Sequence, residues 1–435
     1  MRKYLPVTAI IIPALCLCAI VVYFLPPVNN RLAWRIDEAM LRLRYSLNPP
    51  ARQVFVPQEG QAAASTEVAV LPTATFTLPP PTPTPTSAPA DTPLPSPTPS
   101  ATPLPLPPRV DLKGVVYEDQ HGRWNYCAPA NLAMALSFWG WQGNRDLVGP
   151  ALKPDEKDKN VMPYEMVNYI ETQTNLKAFE RVGGDLDLLK RFLANGYPVL
   201  VEKGTYLRDL TGVVSWMGHY QVVTGYDETR QQFIAQDSFI KPDHPVSYQD
   251  MIDGWRAFNY TYLIIYPPDK ETEVLALLGP DADETTNYQN AALKASNEIF
   301  GLTGIDQYFA WFNRGTNLVK LQDYAGASAA YDEAFKIYPT IPENERPWRM
   351  LWYQTGPYFA YYHAQRYYDL LYLADGTLNA MQGDKNLEES YYWRAMARAA
   401  LGETAAAIED FRLSLKYHPG FPPALQQLQA LGVQP

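Results

Sequence analysis

The sequence predicts two folded units of different class: an α+β domain over residues 109–270 and an all-α helical-repeat domain over residues 300–425. Three observations carry this. Strand-like apolar runs such as GYPVLV, HYQVVTGYD and YTYLIIY follow helical patterns in the first unit. Small and aromatic residues recur at fixed offsets in two segments of the second. A proline-rich tract sets both apart from an apolar N-terminal run. At 435 residues there is room for two or three domains, and a net charge of −10 argues against nucleic acid as a partner, which calls for a basic face.

Residues 7–25, VTAIIIPALCLCAIVVYFL, form an uncharged run behind Arg2 and Lys3, close to the ~20 residues a helix needs to span a bilayer. No small-x-small cleavage site follows in PPVNNRLAW, so residues 1–27 are expected to be an uncleaved signal anchor through which the chain associates with a membrane. Residues 28–56 place Leu32, Ile36, Met40, Leu43 and Leu47 at helical spacing among arginines, a juxtamembrane amphipathic segment suited equally to lipid headgroups and to solvent. Those arginines give the positive-inside rule no clean answer. Residues 57–108 turn to Pro, Thr, Ser and Ala, a composition that buries too little surface to fold and favours polyproline II. At roughly 3.1 Å per residue this disordered stalk would hold the next domain on the order of 100 Å from the membrane. Its composition resembles the spacers of bacterial surface proteins, which implies a single-pass protein of the cell membrane with its C-terminal domains extracytoplasmic.

Within 109–270, DLDLLKRFLANGYPVLVEKG holds a helical pattern ending at Asn195-Gly196 and then the strand YPVLVE. HYQVVTGYD, QQFIAQD and YTYLIIY read as three more strands, the first two joined by a turn at DETR. Helices followed by a mostly antiparallel sheet make an α+β domain. KPDHPVSY, with Asp243 and His244, reads as a turn.

In the second unit, residues 310–339 carry Trp311, Gly315, Tyr324, Ala327, Tyr331, Ala334 and Pro339, a pattern that resembles a tetratricopeptide repeat. Residues 391–419 repeat it with Ala395, Gly402, Ala407, Phe411, Ser414 and Pro419. Residues 351–381, with Trp352, Gly356 and Phe359 at the early offsets, read as a degenerate middle unit. The two clear units stand too far apart for two plain repeats, so an insertion or longer helices must lie between them. The resemblance implies an array that binds a peptide or protein partner in its concave face. Helix packing accounts for most of the rings in WYQTGPYFAYYHAQRYY.

Cys16 and Cys18 sit in the apolar run, where thiols pack as small hydrophobes, which leaves Cys127 with no disulfide partner in the remainder. Pro129 starts a helix within a residue or two of that thiol, so the positive end of the helix dipole favours the thiolate nucleophile. By itself this pattern also describes a buried structural cysteine. His219 is read as opening the strand HYQVVTGYD, and Asp237 follows QQFIAQ in a position to orient an imidazole on the neighbouring strand, which completes a nucleophile, a base and an orienter. His121 falls in a loop expected to face solvent, and His363 and His418 belong to the repeats. No zinc signature and no cofactor site are expected.

In their order, Gln120, the YCAPANLAMAL helix start, GYPVLV, GHYQVVTGYD and QDS resemble the papain-like cysteine peptidases, most closely the bacteriocin-processing double-glycine leader peptidases of cysteine peptidase family 39. The resemblance spans roughly residues 113–266 and implies a papain-like cysteine peptidase fold. It implies Cys127 as nucleophile, His219 as general base and then acid, Asp237 as the residue that holds the imidazole, and Gln120 as an oxyanion-hole donor beside the Cys127 backbone N–H. Ala128 stands where the family often has glycine, and the Gln120 to Cys127 separation is one residue longer than the common spacing. The expected function is that of a membrane-anchored extracytoplasmic cysteine peptidase acting on a peptide or protein, with repeats that bind a partner. The alternatives are a catalytically silent surface adaptor and a cysteine-dependent acyl transferase.

Overall fold

The computed structural model of the chain describes residues 35–36, 39–40, 42–43, 46–47, 54–57, 105–208, 214–381 and 383–435. The expected signal anchor and residues 58–104 of the expected stalk lie outside the described residues. Among the described residues no helix is long and apolar enough to cross a membrane. In the amphipathic segment the described positions from 35 to 47 are helical, with Ile36, Met40, Leu43 and Leu47 exposed along it.

The first unit is built on one antiparallel sheet. Its strands are β1 (Arg109–Asp111), β2 (Lys177–Arg181), β3 (Val199–Arg208), β4 (Val214–Asp227), β5 (Gln232–Asp237), β6 (Lys241–Ser247) and β7 (Tyr262–Tyr266). The path across it is β2-β7-β3-β4-β5-β6, with β1 paired to the far end of β4. Helices α1 (Cys127–Phe138), α2 (Arg145–Leu152) and α3 (Pro163–Gln173) precede β2, and α4 (Leu186–Ala194) precedes β3. Helix α5 (Tyr248–Arg256) lies between β6 and β7.

Local chemistry sets these elements. Asp185 caps α4 by accepting the Leu188 N–H at 2.7 Å, and the helix stops where Gly196 takes a φ of +87°. Between these ends Leu188, Leu189, Phe192 and Leu193 face the sheet and are buried with Val199, Val201 and Val223. Cutting Phe192 to alanine there would cost about 3–5 kcal/mol. The other sheet face is covered by α1, whose Leu132 and Leu136 pack with Leu200, Tyr220 and Val222.

Two readings of the sequence change. Residues 241–247 form strand β6, paired to β5 with Ala235 opposite His244, and not a turn. Pro242 and Pro245 are tolerated because β6 is the edge strand, where a missing N–H breaks no ladder bond on the open side. His219 does not open its strand, because β4 begins at Val214 and pairs with β3 as far as Arg208.

Helices α6 (Glu271–Leu278) and α7 (Glu284–Gly301) lead into the repeats. Helices α8 (Gly304–Lys320) and α9 (Tyr324–Ile337) form the first unit. Gly315 lets them close, since a Cβ there would lie 2.8 Å from the Tyr331 ring. A short turn, α10 (Met350–Tyr353), precedes the middle pair α11 (Gly356–His363) and α12 (Tyr367–Asn379). The last pair is α13 (Glu388–Ala400) and α14 (Thr404–Tyr417), followed by α15 (Pro422–Ala430). Arg394 pins α13 to its neighbours by a two-point bond to Asp410 and a bond to Asp375. Tyr358 and Tyr361 are fully buried, as expected of packing residues.

The two units share a polar seam. Asn259 and Asn317 exchange side-chain bonds of 2.7 and 3.1 Å, Asn313 donates to the Arg256 carbonyl, and Arg256 meets Asp306 at 2.7 Å.

Candidate active site

Cys127 is the first residue of α1, held by a tight loop in which Asn125 takes a φ of +48°. The helix behind it is buried through Leu136, which makes its start a fixed platform. Asn131, wholly buried one turn along, donates to the Cys127 carbonyl at 2.9 Å and to Ser238 Oγ at 2.8 Å. Ser238 Oγ in turn donates to Gln120 Oε1 at 2.7 Å, and the Gln120 N–H donates to the Ser238 carbonyl at 2.9 Å. With its oxygen engaged, Gln120 has its Nε2 group left to serve the cleft it lines with Cys127 and His219. The longer Gln120 to Cys127 spacing is thus accommodated by anchoring to the residue after Asp237. The Ala128 methyl is likewise accommodated, buried among the α1 core.

His219 stands mid-strand on β4, and Asp237 ends the adjacent β5. His219 Nε2 lies 2.9 Å from Asp237 Oδ1, with both side chains almost wholly buried. Asp237 Oδ1 also accepts the N–H groups of Phe239 and Ile240 at 2.8 and 3.0 Å, and Oδ2 accepts from Gln221. Burial acts to push the imidazole down, but the Asp237 carboxylate overcomes it, and with help from the Cys127 thiol His219 rises to about 9. Burial likewise opposes the Asp237 charge, yet His219 and the hydrogen bonds hold that carboxyl well below the usual range. At neutral pH the pair is imidazolium and carboxylate. An imidazolium stabilises an adjacent thiolate and holds a proton ready for a leaving group.

Cys127, His219 and Gln120 line one cleft of about 420 Å³. Its far wall comes from the repeat domain: Arg349, Trp352 and Tyr353, around α10, line it together with Cys127 and His219. Arg349 donates to Ser215 Oγ at 2.6 Å and to the Trp216 carbonyl at 3.0 Å, and its guanidinium lies 3.9 Å from the Trp348 ring. Gln354 donates to the Ala257 carbonyl at 2.7 Å. Gly218, next to His219, makes room for this wall, since a Cβ there would lie 2.7 Å from Phe258 and 3.0 Å from Tyr353. Glu202 lines the same cleft, and burial pushes its carboxyl well up.

Sequence reasoning missed Asn131, Ser238, Gln221, Glu202 and the α10 wall. The sole signal for the wall was the surplus of residues between the two clear repeats. His121 is exposed, as expected, and pairs with Asp119 at the cleft rim. His244 sits on β6 outside the cleft lining, and His418 pairs with Glu388 at 2.9 Å in the repeats. Among the described residues no cluster of three His, Cys, Asp or Glu side chains is arranged to hold a metal ion.

Residues 112–265 match the model of the Peptidase_C39 like family. Residues 308–341 and 388–420 match tetratricopeptide repeat models. No curated protein matches the chain. Among solved structures, a candidate C39-like peptidase from Bacillus anthracis aligns with 36% of this chain and 96% of its own, at 16% identity and a TM-score of 0.29. The chain therefore carries a C39-like peptidase domain over residues 112–265, followed by tetratricopeptide repeats.

Proposed function

We propose that the protein is a cysteine peptidase, anchored in a membrane by its N-terminal apolar run and acting outside the cytoplasm, with the repeat domain forming part of the substrate cleft. The observation that carries the catalytic reading is the 2.9 Å bond between His219 and Asp237 in a cleft shared with Cys127 and Gln120. The thiolate of Cys127 attacks the peptide carbonyl carbon while His219 holds the proton. The oxyanion that forms receives the Cys127 backbone N–H and the Gln120 amide. His219 then passes its proton to the amine as the C–N bond breaks, leaving a thioester. Water, deprotonated by His219, hydrolyses the thioester and returns the thiol. Asp237 keeps the imidazole oriented throughout without itself becoming protonated.

Incubating the full chain under reducing conditions with a peptide library and a thiol-directed peptidase inhibitor, beside Cys127→Ala, tests this. The expected result is cleavage and labelling by the wild type and neither by the variant, with the melting temperature unchanged. Folded wild-type protein that is neither labelled at Cys127 nor cleaves any peptide in a Cys127-dependent way would leave the adaptor reading in its place.

A further inference from the structure

A second cavity, of about 370 Å³, opens in the repeat domain among Tyr308, Phe335, Tyr338, Leu373 and Gly376. Val54, Phe55 and Val56, just before the proline-rich tract, line it without helical structure. The Phe55 ring meets Phe335 edge-on at 5.1 Å and Tyr361 at 6.1 Å, and Val54 and Phe55 pack against the aromatic core of the repeats. Pro57 is buried, whereas Val56 between them is 68% exposed. Phe55 and Pro57 thus face inward on either side of an exposed Val56. At the other end of the tract, the Pro107 carbonyl accepts the Tyr226 hydroxyl at 2.7 Å and the Pro108 carbonyl accepts the Glu228 N–H at 2.9 Å. Both ends of the tract therefore rest on the same folded body. Arg42, further upstream, is among the residues lining the cleft of Cys127 and His219.

We propose that the repeat groove is a binding site for an extended peptide of the pattern apolar-Phe-apolar-Pro, and that its occupant is this chain's own Val54–Pro57. Val54–Phe55 on one side of the Pro/Thr tract and residues 107–108 on the other are then held by the same folded body. A segment tethered in this way is presented at an effective concentration on the order of millimolar, so a short contact suffices to keep the groove filled. The proposal does not depend on the peptidase reading.

The test uses the full chain in detergent micelles. Replacing Phe55 with the photocrosslinking analogue p-benzoyl-phenylalanine should give an intrachain crosslink to residues 324–380. Crosslinks elsewhere in the chain overturn the proposal, and crosslinks solely between two chains show that a second copy fills the groove. As a second measurement, a fluorescent peptide of sequence ARQVFVPQE, residues 51–59, should bind Phe55→Ala and be excluded from the wild type. Equal binding to both, or to neither, refutes the groove as a site for this segment.

Discussion

Asp237→Asn isolates electrostatics from geometry. Three of the donors to Asp237, from His219, Phe239 and Ile240, converge on Oδ1, and an asparagine oxygen can accept all three. The fourth comes from Gln221, whose own Oε1 is buried without a partner. Turning the Gln221 amide over lets that oxygen accept the new Asn Nδ2, so the variant keeps its bonds and loses the charge. Burial, which already pushes His219 down, then has little opposing it, and the imidazole falls from about 9 to below its ordinary 6.5. Loss of the orienting charge should lower kcat/KM at pH 7 by more than about 10²-fold, within the ~10⁴-fold that the same isosteric change costs in a Ser-His-Asp triad. The assay is the rate of Cys127 alkylation by a neutral reagent against pH. The wild type should hold a rate plateau through neutral pH, and the variant should lose it. Stability follows the same groups. The raised His219 contributes stability that is full below 6.5 and lost as pH rises through about 9, and the lowered Asp237 contributes stability that is lost on acidification below the carboxylate range. An unchanged alkylation plateau in Asp237→Asn, with kcat/KM within ~3-fold of wild type, would refute the assignment of Asp237 as the group that sustains the imidazolium.

Gln120→Ala should lower kcat by about 10²–10³-fold with KM little changed and with Cys127 still open to alkylation, as loss of one oxyanion donor requires. Gly218→Ala should drive a methyl into Phe258 and Tyr353, costing about 1–3 kcal/mol by thermal unfolding and raising KM through displacement of the cleft wall. Glu165 is pushed up to about 7 by burial, with Asp158 adding to the shift and His418 opposing it, while its carboxylate accepts the Met162 N–H at 2.7 Å. A carboxyl raised in the folded state loses stability as pH climbs from its ordinary value to about 7, so Glu165→Gln should raise the melting temperature at pH 8 and leave it unchanged near pH 4.

The candidate site residues that the structure brings to one cleft each left a local mark in the sequence. Cys127 sits where Pro129 starts a helix, and His219 and Asp237 sit on or at the end of apolar runs that can only be strands. Strand β6 was not legible, because its prolines imitate a turn and their tolerance depends on its place at the sheet edge, a property of the assembled sheet. Asn131 and Ser238 were not legible either. A buried asparagine inside an apolar helix and a serine after a strand carry no pattern of their own. They matter because the fold links Asn131 to Ser238 and Ser238 to Gln120, which ties the loop before Cys127 to the end of β5.

The α10 wall shows how an irregularity in one domain becomes a working part of another. A repeat array needs no residues between helix pairs beyond a short turn, and the extra stretch after Ile337 serves two bodies at once. Tyr338, Ile341, Met350 and Trp352 are buried in the repeat cores, while other side chains reach the C39-like domain: Arg349 the Ser215 hydroxyl and the Trp216 carbonyl, Gln354 the Ala257 carbonyl, and Tyr353 the space left by Gly218. Arg349 and Tyr353 thus meet strand β4, which also carries His219, so a few hydrogen bonds and one missing Cβ fix the repeat domain against the strand that positions the imidazole.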